Sequence, residues 1–391
     1  MSNERKIPRK RPNRAIAAAA AALLSITMLG SGPSYGAPVQ DDAKAETFKA
    51  VAVDYSQLTG FLRQIVMDVG KPDRVAPSRP IPPAGTRLYP GNKKITRAEA
   101  NRVFYHLLMN DRIAPLSGLR ESLESVPDVI DFKALSGDER LAYWLNLRNL
   151  AVMELVAEVY PIKNAQKHVE KHLDDPRLTV AGEPMSIRDI ENHVIAKWDD
   201  PLVVYGFYRG HIGSPNMRPD AYTGATVWDD LDDNAREFAG SLRGLQFKKS
   251  RVTVSEFYGS VSHAFPDFTA DLSRHMVDYL PYDLVPRVAN AATIYPTIED
   301  GFVADLYDGR MTNMDGFDNN VAALIGNGNN AQWVNFIANR QTKAAGVNLP
   351  VQVIELMTEI TKRNKRRAKK GRVQIDNLSE GEVSETEEDQ R

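Results

Sequence analysis

The middle of the chain contains a stretch, residues 141–153, that is apolar on nearly every side of a helix (LAYWLNLRNLAVM). A helix of this kind must be surrounded by protein, because no polar face is left for water. The stretch therefore predicts a central buried helix, and Ser136 with the acidic residues after it predicts where that helix begins. Asn146 and Asn149 share one face of it, and buried amides without partners are costly. We predict that Trp144, Asn146 and Asn149 are structural residues.

The composition excludes several classes of protein. The chain has 391 residues, of which 42% are hydrophobic and 26% charged, and these fractions are typical of a globular protein. It has no cysteine, which excludes disulfide bonds, thiolate metal sites and a thiol nucleophile. No cofactor and no metal ion are predicted.

The N-terminus has the three parts of a signal peptide. Six Lys and Arg lie between residues 5 and 14, an alanine-rich apolar stretch follows at 15–30, and Ser34-Tyr35-Gly36 forms a small-x-small cleavage signal. We predict removal of residues 1–36 and a periplasmic or secreted protein. The alternative, an uncleaved anchor or a buried helix, is less well supported because sixteen residues are short for a membrane span.

The exported chain would be mildly acidic. Without residues 1–36 it has 43 basic and 50 acidic residues, a net charge of −7. This charge gives no support for nucleic acid as a partner. No stable membrane span is expected after the signal peptide is removed.

The remaining chain divides into segments of different composition. We predict a flexible lead-in at 37–50, an N-terminal helical region at 51–130 with a proline-rich connection at 70–92, a core at 131–270, a C-terminal helical extension at 271–361 and a disordered charged tail at 362–391. Strands are predicted at 178–181, 201–208 and 252–255, and the extension is predicted to be helical near 270–280, 319–325 and 351–362. The fold class is α+β, a mainly helical body with a small β-sheet.

The predicted tail consists of two blocks of opposite charge. Residues 362–372 contain eight Lys and Arg, and residues 376–389 contain seven acids. Such blocks favour a solvated, disordered segment. An arm that binds nucleic acid or an anionic surface is the alternative.

Several motifs resemble those of the DUF547 family, a domain of unknown function found in bacteria and plants. Residues 143–149 (YWLNLRN) are similar to the family's W-x-N-x-Y-N, and residues 186–191 (SIRDIE) to its S-L-x-D-I-E. Glu191 in the second motif is interpreted as structural. The resemblance covers about residues 131–270. It implies a fold more than a chemistry, because no well-established activity accompanies the family.

The resemblance also implies a loop, G-x-x-S-C-P-P, that follows a strand containing R-x-H and whose Cys and His would suit thiol chemistry. The corresponding loop here is residues 210–216 (GHIGSPN), which places Ser214 at the position of the Cys. Leu202 and Val204 replace the Arg and the His. Asn192 replaces the His of the family's I-E-H, although His193 is adjacent. We therefore interpret the chain as a divergent member that lacks the family's Cys and His.

Two functions remain open on these residues. The first, which we favour, is a non-catalytic binding or scaffold domain of an exported protein in the periplasm or envelope. The second is a hydrolase in which Ser214 acts as the nucleophile and His211 or His193 as the base. No local motif supports the hydrolase, since the G-x-S-x-G elbow is absent around Ser214.

One loop concentrates the candidate ligand-binding residues: Arg209, His211, Ser214, Asn216 and Arg218. The guanidinium groups would suit an anionic small ligand or an envelope component. The alternative is a surface loop in which the arginines pair with Asp199, Asp200 and Asp220.

Three other patterns are not interpreted as functional sites. His168 and His172 have the spacing of two metal ligands on a helix, but no third ligand is evident. The glycine-rich residues 326–330 lack the Lys-Ser/Thr of a phosphate loop. Residues 305–318 are rich in Asp and Asn but lack the ligand spacing of a calcium loop.

Overall fold

The structure is a computed structural model, and it describes residues 51–78, 94–249, 251–309 and 351–379. The predicted signal peptide, the lead-in, the helix at 319–325 and the glycine-rich residues 326–330 lie outside the described residues. In the described parts, no helix is both long enough and apolar enough to cross a membrane.

The described residues form a mainly helical body with small sheets, which confirms the α+β prediction. The α-helices are α1 (Ser56–Ile65), α2 (Ala114–Glu124), α3 (Val126–Val129), α4 (Gly137–Ala157), α5 (Ala165–His172), α6 (Ile187–Trp198), α7 (Val227–Gly240), α8 (Glu256–Ser260), α9 (Phe268–Met276), α10 (Val285–Ala289) and α11 (Val351–Ser379). The strands are β1 (Val66–Met67), β2 (Arg102–Val103), β3 (Pro176–Val180), β4 (Glu183–Ser186), β5 (Leu245–Lys248), β6 (Arg251–Ser255) and β7 (Ile294–Ile298).

Helix α4 is the central helix that the apolar stretch predicts. Ser136 caps it, because its hydroxyl accepts a hydrogen bond from the backbone N–H of Glu139. The helix is buried on all sides between α2, α5, α6 and α7. Its apolar side chains therefore belong to one continuous core shared by most of the described elements.

The largest sheet has three strands in the order β5-β6-β7. Strands β5 and β6 pair antiparallel, with Leu245 opposite Val254. Strand β7 pairs parallel with β6, with Ile294 opposite Val252. The C-terminal extension thus supplies one strand to the sheet, although the sequence predicts only helices there.

Two of the three predicted strands are present, and one is wrong. Strands β3 and β6 coincide with the predictions at 178–181 and 252–255. The segment predicted as a strand at 201–208 begins instead with a 3₁₀-helix, Pro201–Gly206. The Asp200 carboxylate accepts a hydrogen bond from the backbone N–H of Leu202 and so caps this helix, and proline is well suited to a first helical position.

The C-terminal helix extends further than the sequence predicts. Helix α11 continues through Ser379, so it includes residues that are predicted to begin the disordered tail at 362. Arg363 is buried and donates hydrogen bonds to the carbonyl oxygens of Ala98 and Val69. Arg366 pairs with Asp73 at 2.8 Å. The predicted start of the tail is corrected because these basic side chains have acceptors on the N-terminal region; residues 380–391 lie outside the described part.

Candidate functional site

The loop that carries the candidate residues, 209–218, follows the 3₁₀-helix Pro201–Gly206. Backbone hydrogen bonds to residues 300–304 fix its position. The N–H of Ile212 donates to the Phe302 carbonyl, and that of Gly213 to the Asp300 carbonyl, both at 2.9 Å. Gly210 has a φ of +74°, and a Cβ there would lie 2.7 Å from a methyl carbon of Val156. The glycine is therefore required both by its conformation and by the close approach of α4.

Arg243, which follows α7, holds this loop from the other side. Its guanidinium is fully buried and donates to the carbonyl oxygens of Ile212 and Ser214. It also donates to Asn216 Oδ1 at 3.0 Å and pairs with Glu237. Because Asn216 Oδ1 also accepts from the N–H of Asn101, Asn216 points into the protein.

Ser214 is completely buried, and its hydroxyl bonds to backbone groups. Oγ donates to the carbonyl oxygen of His211 at 2.8 Å and accepts from the N–H of Arg209 at 3.2 Å. Within the described residues, no histidine ring nitrogen is a hydrogen-bond partner of this oxygen. The hydroxyl of the residue at the family's Cys position therefore closes a turn through its hydrogen bonds to the backbone.

The His211 ring is buried and is held in one protonation state. Its Nδ1 donates to the Asp300 carbonyl at 3.1 Å, since a carbonyl oxygen only accepts. Burial lowers the pKa of His211 to about 3; the hydrogen bond to Asp300 opposes this shift, and the nearby Arg209 and Arg243 add to it. The imidazole is thus neutral at neutral pH, and its Nε2 carries a lone pair.

His193 lies elsewhere, on the exposed side of α6. Its ring packs against Trp144, with 5.1 Å between the ring centroids, and against Trp198. Partial burial and the charge of Lys197 lower the pKa of His193. The Ser214 hydroxyl therefore makes no hydrogen bond to the ring of either candidate base, His211 or His193.

The sequence reasoning missed a buried charge cluster beside the loop. Arg148 and Glu191 are both fully buried and lie 2.7 Å apart, from Nη2 to Oε1. Arg209 Nη2 lies 2.7 Å from the other carboxylate oxygen of Glu191. One signal could have revealed the cluster: Arg148 is the one charged residue in the apolar stretch of α4, and a buried charge requires a partner.

The cluster keeps Glu191 ionised. Burial alone raises the pKa of a carboxyl group, but here the charges of Arg209 and Arg148 outweigh it and hold the pKa of Glu191 below its usual range. Glu191 thus links α6, α4 and the loop through hydrogen bonds to charged partners.

The arginines of the loop do not use the partners that the sequence suggested as an alternative. Arg209 pairs with Glu191, and Arg218 pairs with Asp230 at 2.6 Å. Asp220 pairs instead with Arg63. All five candidate ligand-binding residues therefore make contacts within the protein.

Arg209 and His211 line a small cavity of about 10 Å³, about the space that one water molecule needs. The other lining residues come from α5 and α8, and they are Gln166, Val169, Glu170, Phe257 and Ser260. The Arg209 guanidinium lies 5.9 Å from the centroid of the Phe257 ring, and Arg209 Nε has no hydrogen-bond partner among the described residues. The side chains of Arg209 and His211 are both buried, so little of either is open to solvent.

The amides of α4 connect the central helix to the segments around the loop. Asn146 exchanges two hydrogen bonds with the backbone of Tyr222, at 2.8 and 3.0 Å. Asn149 donates to the Gly206 carbonyl at 3.0 Å and accepts from Arg148 at 2.7 Å. Trp144 is buried and packs against Phe132.

Replacing Asn146 by Leu is expected to lower the free energy of unfolding by about 1–3 kcal/mol, because the N–H and C=O of Tyr222 lose their buried partners. Urea unfolding measures the change. Asn192→Leu is the matched control, since Asn192 is exposed on α6. An equal loss of stability in Asn146→Leu and Asn192→Leu would show that the hydrogen bonds of Asn146 do not cause it.

Among the residues that the structure describes, the histidine pair on α5 is not part of a larger group of potential metal ligands. The His168 and His172 ring centroids are 4.7 Å apart, and His172 Nδ1 bonds to Asp175. Throughout the described ranges, no group of three or more His, Cys, Asp and Glu side chains is arranged to hold a metal ion. Residues 310–318 of the Asp- and Asn-rich segment lie outside those ranges.

Comparison with known proteins gives a family assignment for one part of the chain. No curated protein and no solved structure matches it. The model of the family described as "Protein of unknown function, DUF547" matches residues 132–239. The match begins before α4 and ends one residue before the end of α7, so the three-stranded sheet lies beyond it. Residues 132–239, which contain the loop, Glu191 and Arg209, are therefore a DUF547 domain.

Proposed function

We propose that this chain is an exported protein whose DUF547 domain acts as a non-catalytic binding or scaffold domain in the periplasm or envelope. The proposal rests on the environment of Ser214. A serine nucleophile needs a base within hydrogen-bonding reach and donors for the developing oxyanion. Here the hydroxyl donates to a backbone carbonyl that cannot accept a proton as a base does.

His211 does not supply the base that the alternative function, a hydrolase, requires. His211 Nδ1 is engaged by the Asp300 carbonyl, and Ser214 bonds to the His211 backbone, not to its ring. A general base works best when its pKa lies near the working pH, and burial depresses the pKa of His211 to about 3. A non-catalytic role is therefore favoured over Ser214 chemistry.

The proposal of export rests on the order of basic, apolar and small residues in the first 36 positions. A periplasmic or secreted location requires that this segment direct the chain out of the cytoplasm. The mature protein would then begin near Ala37.

A fluorophosphonate probe applied to the exported protein tests the proposal. We expect an intact mass that corresponds to a start near Ala37, and no labelling above the level of the Ser214→Ala variant. A serine hydrolase of known reactivity is the positive control for the probe. Ser122→Ala is the matched variant, because Ser122 Oγ also donates to a backbone carbonyl but lies on α2.

Three results would contradict the proposal. Labelling that is lost in Ser214→Ala and retained in Ser122→Ala would establish the hydrolase. A protein that retains Met1 outside the cytoplasm would refute cleavage, and its absence from the exported fraction would refute export.

A further inference from the structure

We propose that a groove beside α11 binds residues 385–389 of the same chain, an acidic segment that follows this helix. The groove is lined by residues from the segments 70–74 and 279–284, by the last turn of α7 and by α11. The proposal goes beyond the proposed function, because it concerns an interaction surface apart from the loop 209–218. In this arrangement, residues 385–389 occupy the surface that a separate acidic peptide would need.

The size of the groove suits a segment of chain better than a small molecule. Its volume is about 1,170 Å³, above the roughly 300–1,000 Å³ that small-molecule sites usually enclose. Part of its lining is apolar and consists of Pro72, Leu280, Pro281 and Leu284. The groove therefore has room for several residues, and its apolar lining can contact the methylene groups of glutamate side chains.

The acids that line the groove are largely neutralised by residues outside it. Four cations and three acids are among the lining residues, namely Lys71, Arg74, Arg236, Arg367, Asp73, Glu237 and Asp283. Asp73 pairs with Arg366, and Glu237 pairs with Arg243. Because neither of these arginines lines the groove, the two pairs leave the lining cations unbalanced.

Most of the lining cations have no such partner. Arg236 pairs with Asp232. Lys71, Arg74 and Arg367 form no ion pair with a carboxylate of the described residues, and the Arg74 guanidinium donates only to backbone carbonyl oxygens there. One lining acid remains against these three cations, so the groove has an excess of positive charge that favours an acidic occupant.

Residues 380–391 have the complementary charge and are close enough to reach the groove. They contain six acids and one arginine. Ala368 lines the groove, and α11 ends at Ser379, 11 residues and about 16 Å further along the helix. About five residues of extended chain, at roughly 3.3 Å each, cover that distance in the opposite direction. The residues that can then enter the groove are 385–389, which include four acids.

The covalent connection favours this occupant over a separate peptide. A short flexible tether gives a segment an effective concentration in the millimolar range. Exposed ion pairs that are individually weak can therefore hold the segment in place. Salt should release it, because the Debye length falls from about 10 Å at 0.1 M to about 3 Å at 1 M.

Disulfide exchange in the purified exported chain measures where the segment lies. The protein has no cysteine, so Tyr282→Cys and Gln390→Cys introduce its only thiols. Tyr282 is 91% exposed and lies between two residues that line the groove. In a glutathione buffer, the fraction of intramolecular disulfide gives the effective concentration of residue 390 at residue 282. Val129→Cys with Gln390→Cys is the control pair, because Val129 is also exposed but does not line the groove.

We expect the 282–390 pair to give an effective concentration at least about tenfold above that of the 129–390 pair at 0.1 M salt. Most of this excess should be lost at 1 M salt. Equal values for the two pairs, or an excess that 1 M salt leaves unchanged, would overturn the proposal.

The Arg367→Gln variant of the 282–390 pair separates binding in the groove from a general attraction to the basic helix. Arg367 lines the groove, whereas Lys365 is exposed on the same helix and does not line it. We expect Arg367→Gln to lower the effective concentration about threefold, the scale of one exposed ion pair, and Lys365→Gln to lower it clearly less. An equal decrease in both variants, or no decrease in Arg367→Gln, would contradict binding in the groove.

Discussion

Replacing Glu191 by Gln is expected to lower the free energy of unfolding by about 3–5 kcal/mol, the cost of removing one partner from a buried ion pair. The variant keeps the shape of the side chain but removes its charge. The guanidinium groups of Arg148 and Arg209 would then remain buried without a counter-charge. Because these groups belong to α4 and the loop, the loss should affect the whole DUF547 domain.

The ion pairs of Glu191 with Arg148 and Arg209 also predict how the free energy of unfolding changes with pH. The pKa of Glu191 is lower in the folded protein than the usual value of 4.5 for a glutamate, so the folded state favours the ionised form. Its contribution to stability is therefore fully present above about pH 4.5 and is lost as the pH falls through the lower folded pKa. The stability difference between the wild-type protein and Glu191→Gln should narrow in that acidic range.

Urea unfolding at neutral pH and at several acidic pH values measures both effects. Glu183→Gln serves as the matched control, because it removes an exposed carboxylate from the strand that precedes α6. A loss in Glu191→Gln no larger than that in Glu183→Gln would contradict the buried charge cluster. A difference that does not change with pH would contradict the lowered pKa.

Replacing Arg243 by Met is expected to destabilise the protein by about 3–5 kcal/mol, the range for a broken buried ion pair. Met keeps an unbranched apolar stem but has no guanidinium. Glu237 would lose its partner, and the carbonyl oxygen of Ser214 and the amide oxygen of Asn216 would lose a donor. The loop would therefore lose the hydrogen bonds that hold it to Arg243.

Thermal and urea unfolding measure the loss in Arg243→Met, and amide hydrogen exchange reports on the loop. We expect faster exchange at Arg209, whose N–H donates to Ser214 Oγ. Arg274→Met is the control, since Arg274 is highly exposed and pairs with Asp271 at the surface. Unchanged exchange in the loop would show that Arg243 does not hold it.

Local patterns were sufficient to predict the helical core. The apolar stretch of α4 specifies burial on every side, and Ser136 and Ser186 mark the starts of α4 and α6 through their own hydrogen bonds. Serine capping involves residues only three apart in sequence. Such signals are complete within a few residues, and for this reason they can be read before the tertiary structure is known.

The predicted strand at 201–208 shows where local patterns fail. Its apolar residues are buried in the structure, as a strand pattern requires, but they occupy a 3₁₀-helix and the turn that follows. Burial on all sides removes the alternation that separates a strand from other buried backbone. This error also affects the candidate site. The sequence predicts that the loop follows a strand, whereas in the structure it follows the 3₁₀-helix.

The sequence by itself determined that a buried helix organises the chain, that no thiol is available, and that the motifs around α4 and α6 resemble DUF547. The sequence did not determine which charged side chains form ion pairs and hydrogen bonds with one another. Arg148, Glu191 and Arg209 are separated by 43 and 18 residues, and Arg363 reaches Ala98 across 265 residues. Only the tertiary structure decided that Arg209 and His211 face a cavity while Ser214 faces the backbone, because side-chain direction in a loop depends on distant partners such as Asp300 and Arg243.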